Sequence, residues 1–151
     1  MKLKDFDFRV WSVKKEKYLD ELYSNIISLS SDKSIKGYNR NYKILAIEFS
    51  PYDSIPLMND NEECFEIELF TGLYDKNETK IYEGDILYYF KDCSEGEVFK
   101  YQVLFKEGAF YLFESYDGFV DDEDLIAEFD LKELQVMGNI HENKELLNVR
   151  L

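Results

Sequence analysis

The chain has 151 residues and a mass of 18.0 kDa, 45% of them hydrophobic and 17% aromatic, so it can bury a core without staples and lies far from the composition of disordered chains. Its 32 acidic residues against 18 Lys+Arg leave a net charge of −14, which repels phosphates and excludes direct binding of nucleic acid. No apolar run approaches the roughly 18 residues of a membrane span, and the start, Met1-Lys2-Leu3-Lys4-Asp5, lacks the apolar stretch of a secretory signal, so the expected location is cytoplasmic, with no membrane partner.

In chain order, Phe6, Phe8 and Val10 alternate with Asp7 and Arg9 ahead of Trp11, a period of two that predicts a half-buried strand. Tyr18-Leu19 is its hairpin partner. Asp20 can cap a short helix from Glu21 to Ser28, because its carboxylate can accept first-turn amides and Leu22, Ile26 and Leu29 follow at helical spacing. A polar loop containing Ser30, Ser31, Asp32, Ser34, Gly37 and Asn39 leads to a strand from Tyr42 to Phe49. Pro51 and Pro56 then bracket a connector running to about Glu62. The expected domains are a strand-helix-strand lobe over residues 1–60 and a β lobe over 61–151. Charge divides in a similar place: residues 1–43 hold ten Lys+Arg against six Asp+Glu, and residues 44–151 hold eight against 26.

In the second lobe Phe65, Ile67 and Leu69 alternate with Glu66 and Glu68, which predicts an apolar sheet face and a solvated acidic face. A polar turn spans Asp75 to Thr79. Strands follow over Ile86 to Phe90 and Val98 to Phe105, and Glu107-Gly108 is a tight turn into a hairpin strand from Ala109 to Phe113. Tyr116 to Asp124 reads as a charged loop, Leu134 to Met137 as a closing strand, and Glu142 to Leu147 as one helical turn. The fold class is mainly β with minor α: five short strands with tight turns suggest a small SH3-like barrel behind a small α+β lobe. Within it, Asn77 is the residue expected to take a positive φ, and Gly84 beside Asp85 permits a sharp turn.

Two segments, Thr71-Gly72-Leu73-Tyr74-Asp75-Lys76-Asn77 and Lys80-Ile81-Tyr82-Glu83-Gly84-Asp85-Ile86, resemble the central signature of the YopX-like family of phage and prophage proteins. Phe8-Arg9-Val10-Trp11 is similar to that family's opening Phe-Arg-Ala-Trp, and Val136-Met137-Gly138-Asn139-Ile140-His141-Glu142-Asn143 to its closing Val-Ile-Gly-Asn-Ile-Tyr-Glu-Asn. The chain departs from the pattern at Glu78, where the family has a turn Gly, at His141, where it has Tyr, and at Lys144, where it has Pro. The resemblance implies an SH3-like barrel in the C-terminal part and a phage or prophage origin. It carries over no activity.

No residue earns a catalytic, cofactor or metal role from spacing. A catalytic triad would have to use His141, the single histidine, which lies beside Glu142 in a segment that reads as the end of a strand. Asp121-Asp122-Glu123-Asp124 is rich in oxygen, yet it lacks the central Gly and alternating ligands of a calcium loop, as does Asn59-Asp60-Asn61-Glu62-Glu63. No Walker or Rossmann glycine pattern occurs, so no cofactor is expected. Cys64 and Cys93, 29 positions apart, fit reduced thiols. Tyr88-Tyr89-Phe90 and Phe110-Tyr111 put aromatic groups on both faces of their strands, a surplus that fits cover of the other lobe, a partner surface or a homo-oligomer.

The expected function is therefore that of a non-enzymatic accessory module that binds an unknown protein partner. Its candidate contact residues are Tyr82, Glu83 and Asp85 in the signature, with Asp121, Asp122, Glu123 and Asp124 in the acidic run. The alternative is an acidic mimic of nucleic acid that occupies a host DNA-binding protein, with Glu66, Glu68 and a dense acidic loop from Asp117 to Asp124 as its surface. A metal-dependent hydrolase using Asp121, Asp122 and Asp124 ranks last.

Overall fold

The computed structural model describes residues 2, 5–14, 16–18, 26–30, 44–50, 53–57, 65–90, 98–116 and 119–147. The protein is mainly β, and among the described residues the only helical pieces are short 3-10 turns. In chain order the strands are β1 (Phe8–Ser12), β2 (Lys17–Tyr18), β3 (Ile26–Ser30), β4 (Ile44–Ser50), β5 (Asp53–Leu57) and β6 (Phe65–Tyr74). They continue with β7 (Lys80–Tyr82), β8 (Asp85–Tyr89), β9 (Phe99–Lys106), β10 (Ala109–Tyr116), β11 (Phe119–Leu125) and β12 (Leu134–Asn139). The chain forms two compact units, one of Met1–Arg9 with Glu68–Leu151 and one of Val10–Ile67.

The first unit is built on a curled five-stranded antiparallel sheet in the order β11-β10-β9-β8-β12. Four strands run as a meander, 3-10 turns at Ile126–Glu128 and Leu131–Glu133 follow, and β12 returns to pair with the first strand of the meander. That topology is the expected SH3-like one, and the sheet curls into a half-barrel. Ile81, Leu87, Tyr101, Val103, Leu112, Ile126 and Leu134 form the core, with Phe99, Phe110 and Phe129 packed against it. The β9–β10 hairpin turns on Glu107 and Gly108, both at positive φ (51° and 80°), the geometry that matches a two-residue turn to strand twist.

Three expectations for this unit need correction. The segment read as a charged loop from Tyr116 to Asp124 is largely strand: β11 pairs with β10, setting Glu123 opposite Phe113 and Asp124 opposite Leu112. Charge does not exclude a strand from a sheet edge, where charged side chains stay wet and discourage further pairing. Glu68 lies on no solvated face, being 4% exposed, while Ile67 is 38% exposed. The left-handed residue of the Asp75–Thr79 turn is Glu78 (φ 62°), not Asn77, so the chain holds a glutamate where the resembled pattern has glycine.

In the second unit β1 pairs with β2, bringing Trp11 opposite Tyr18 with ring centroids 4.9 Å apart, so Tyr18 is in the hairpin partner as expected, while Leu19 lies outside the described residues. A separate sheet in the order β3-β4-β5 sets Ile27, Ile47 and Ile55 at one register level and Leu45 opposite both Leu29 and Leu57. The expected helix from Glu21 to Ser28 is overturned where it can be followed, since residues 26–28 belong to β3, and Ser30, expected to open the polar loop, ends that strand opposite Ile44. Ile26 and Ile27 are β-branched and favour extended backbone, and β4 supplies the ladder partners. The proline-bracketed connector likewise contains β5. Pro56 is tolerated there because β5 is an edge strand of that sheet, the position to which proline is confined within sheets. Cys64, Cys93, Asp117 and the polar stretch from Ser31 to Asn39 lie outside the described residues.

Candidate functional site

Segments from three distant parts of the chain meet at one buried charge cluster in the first unit. Arg9 Nε donates to Glu68 Oε2 at 2.5 Å, and its Nη2 donates to Asp85 Oδ1 at 2.6 Å and to the Glu83 carbonyl at 3.2 Å. His141 Nε2 meets the other oxygen of Glu68 at 2.8 Å. With Glu68 ionised against Arg9, the carboxylate only accepts, so the ring nitrogen is the donor. Tyrosine, which the resembled pattern has at this place, would offer an O–H in the same role. The side chains of Glu68 and Asp85 are 5% and 1% exposed. Two charges so buried are tolerated because every carboxylate oxygen has a donor.

Local structure explains why each group is there. Gly84 at φ 79° turns the chain between β7 and β8, and a Cβ on it would stand 2.6 Å from Glu68 Oε1, so glycine makes room for the carboxylate. Asp85 then spans that turn, its Oδ2 accepting the Tyr82 backbone N–H at 2.8 Å. His141 is aimed by a self-capped turn after β12, in which Asn139 Oδ1 accepts the backbone N–H groups of His141 and Glu142, both at 3.0 Å. A Cβ on Gly138 would collide with the Asn143 side chain. Asp75 does comparable work in the other signature segment: its carboxylate accepts the N–H groups of Asn77, Thr79 and Val136 at 2.8–2.9 Å, pinning the β6–β7 hairpin to β12.

The electrostatics follow from burial and contact. Burial pushes Asp85 up to about 6, against the opposing pull of Arg9 and of the Tyr82 N–H. Burial also raises Asp7, but hydrogen bonds from Lys80, Tyr82 and the Phe8 N–H outweigh it and hold the carboxyl below its ordinary value. The Tyr82 hydroxyl, partly buried and donating to Asp7 Oδ2 at 2.6 Å, is pushed well above the usual tyrosine range. The Arg9 guanidinium stacks 4.8 Å from the Tyr82 ring centroid.

Beside this cluster lies an open cleft of about 340 Å³ lined by Asp5, Phe6, Asp7, Phe70, Gly72, Tyr74 and Lys80. One wall is the segment ahead of β1, held in place by the Asp7 carbonyl, which accepts the Phe70 N–H at 2.9 Å. The other is the β6–β7 hairpin, whose ladder is irregular between Phe70 and Tyr74, where Gly72 sits at φ 83°. That bulge keeps Phe70 and Tyr74 in edge contact, centroids 5.5 Å apart. Phe6 and Tyr74 are 46% and 47% exposed and both line this cleft.

The structure separates the residues that the sequence grouped. Asp85 lies inside the cluster and cannot form an exposed binding edge, because burial and its bonds to Arg9 and Tyr82 engage it fully. Tyr82 and Glu83 are half-buried beside it. Asp121, Asp122, Glu123 and Asp124 lie on β11, and Glu123 pairs with Lys106. The sequence assigns Arg9 no role and does not reveal that Glu68 pairs with Arg9 and His141, since no local pattern reports contacts across 59 to 76 residues. A signal existed all the same: Arg9, Asp85 and His141 each sit in a different one of the segments that carry the family resemblance. Among the described residues no group of three or more His, Cys, Asp and Glu could hold a metal ion, and no helix is long and apolar enough to cross a membrane.

Comparison with known proteins agrees with this distribution. No curated protein matches the chain. Among solved structures it resembles protein EF1440 from Enterococcus faecalis, at 28% identity and a TM-score of 0.54 over 94% of this chain and 97% of that one. It also resembles the yopX protein of Bacillus subtilis, at 17% identity and a TM-score of 0.57 over 95% and 97% of the two chains, a likeness of fold. The YopX protein family matches residues 7–148, a span that takes in Arg9, Glu68, Asp85 and His141 as well as the half-barrel, and the chain belongs to that family.

Proposed function

We propose that the chain is a phage or prophage accessory protein that works in the cytoplasm as a non-enzymatic protein-binding module. The observation that carries this reading is a division of labour within the first unit. The buried carboxylates Glu68 and Asp85 are engaged by Arg9 and His141 in one cluster, while two aromatic rings stand half-exposed over an open cleft. Side chains engaged in that way specify a fold; exposed rings over a cleft suit the contact of a second protein, where aromatic residues are enriched. Phe105, Leu125 and Met137, also more than a third exposed, support self-association as part of the same behaviour.

The rival reading, an acidic surface that mimics nucleic acid, keeps β11 as its support and loses Glu68, which is buried. The deciding experiment is capture of partners from the host cell on the immobilised full chain, repeated with Phe6→Ala/Tyr74→Ala. A stoichiometric protein partner that the double variant no longer retains is expected. Recovery of no protein, with turnover of a small metabolite instead, overturns the reading.

A further inference from the structure

We infer that the cleft between the segment ahead of β1 and the β6–β7 hairpin recognises a cationic side chain, Arg or Lys, presented by a segment of the protein partner; this rests on the protein-binding reading and names its chemistry. The walls are aromatic, Phe6, Phe70 and Tyr74, and the acids at the rim are Asp5 and Asp7. The face of an aromatic ring attracts a cation, and nearby carboxylates add to that field. The cleft already demonstrates the preference within the chain. Lys80 Nζ lies 5.2 Å from the Phe70 ring centroid and bonds Asp7 Oδ2 at 2.6 Å, so a resident ammonium occupies part of the site a visiting one would take.

Charge complementarity selects the occupant. Asp5 and Asp7 outnumber Lys80 at the rim, and the whole chain stands at −14, so a basic segment is drawn in and an acidic one repelled. Gly72 forms part of the lining, and a Cβ added there would meet nothing within 4 Å, so the cleft is open above that position. The Lys80–Asp7 pair is about 40% exposed on both sides, a weak pair that a better-placed guanidinium can displace.

A random 12-residue peptide library displayed against the biotinylated full chain tests this. The expected outcome is enrichment of peptides that share an Arg or Lys, whose affinity falls with added salt and drops roughly three- to tenfold when Phe6 or Tyr74 is replaced by Ala. Lys80→Met removes the resident cation and should tighten the same peptides about threefold or more, a gain that a purely structural lysine would not produce. The melting temperature of each variant, kept near that of the parent, certifies the fold. Enriched peptides without a shared cation, peptides that bind the Phe6 and Tyr74 variants unchanged, or weaker binding to Lys80→Met overturn this inference and leave the protein-binding reading standing. A library that yields no binder at all overturns both.

Discussion

Glu68 and Glu123 are both glutamates on antiparallel strands, and each meets a basic side chain, yet they do opposite things. Glu68 is 5% exposed and joins Arg9 to His141 in the interior of its unit. Glu123 is 25% exposed and meets a Lys106 that is 44% exposed, on the edge strand of the sheet. A buried carboxylate with all its bonds made holds specific elements together, and losing it strands the cations it paired. An exposed pair on an edge is screened by water and contributes little, while its charge keeps the edge from recruiting another strand. Acid content alone therefore says nothing about which carboxylates organise the molecule.

The contrast can be broken most directly at Glu68. Glu68→Ala leaves Arg9 and His141 without the carboxylate they share, and should cost about 3–5 kcal/mol in urea denaturation. A loss below about 1 kcal/mol would make Glu68 no different from a surface acid. Next comes pH. Asp85 binds its proton more tightly folded, at about 6, than unfolded, near 3.8, so its contribution is greatest below pH 4 and is lost as pH rises to about 6. The full effect is about 3 kcal/mol. Asp7, held below 3.8, works in the other direction: its stabilisation is present above that value and disappears as pH falls through its folded one. Urea midpoints between pH 4 and 7 should show the first limb in the parent and lack it in Asp85→Asn. Equal slopes in the two proteins would place Asp85 among ordinary carboxylates.

Smaller effects sharpen the same comparison. Gly84→Ala puts a methyl group against Glu68 at a positive φ and should destabilise by about 1–3 kcal/mol, whereas a like change at an open turn would cost only the backbone share. Glu78→Gly relieves a left-handed glutamate and should gain up to about 1 kcal/mol, read as a higher urea midpoint. Glu123→Gln should move the Tm by less than about 2 °C, the mark of a solvated pair.

Much of the β architecture could be read from the chain because alternation is local. The strands around Val10, Ile86, Val103 and Leu112 announce themselves by period two or by tight turns such as Glu107-Gly108. The misreadings have physical sources. Leu22, Ile26 and Leu29 share a helical spacing, while Ile26–Ser30 itself satisfies a strand, and pairing with β4 decides between them. The acids of β11 suppress any apolar signal because an edge strand needs none. Glu68 reads as a solvated acid because Arg9 and His141, the groups it meets, are 59 and 73 positions away. The candidate cleft has the same character: Phe6 and Tyr74 look like core aromatics until a bulge at Gly72 and the segment ahead of β1 hold them apart.

That Arg9 belongs with Glu68 and Asp85 has a consequence for how the molecule comes into being. The segment Met1–Arg9 leaves the ribosome ahead of its partners, which follow 59 and 76 residues later, several seconds at roughly 5–20 residues per second. During that interval Phe6 and Phe8 stand exposed on a nascent chain beside a cation without its acids. Contacts of such long sequence separation close slowly, and the first unit cannot be completed until His141 has been synthesised. A C-terminal fragment started at residue 61 would be born without Arg9, and would carry Glu68 and Asp85 into a fold that had lost their cation.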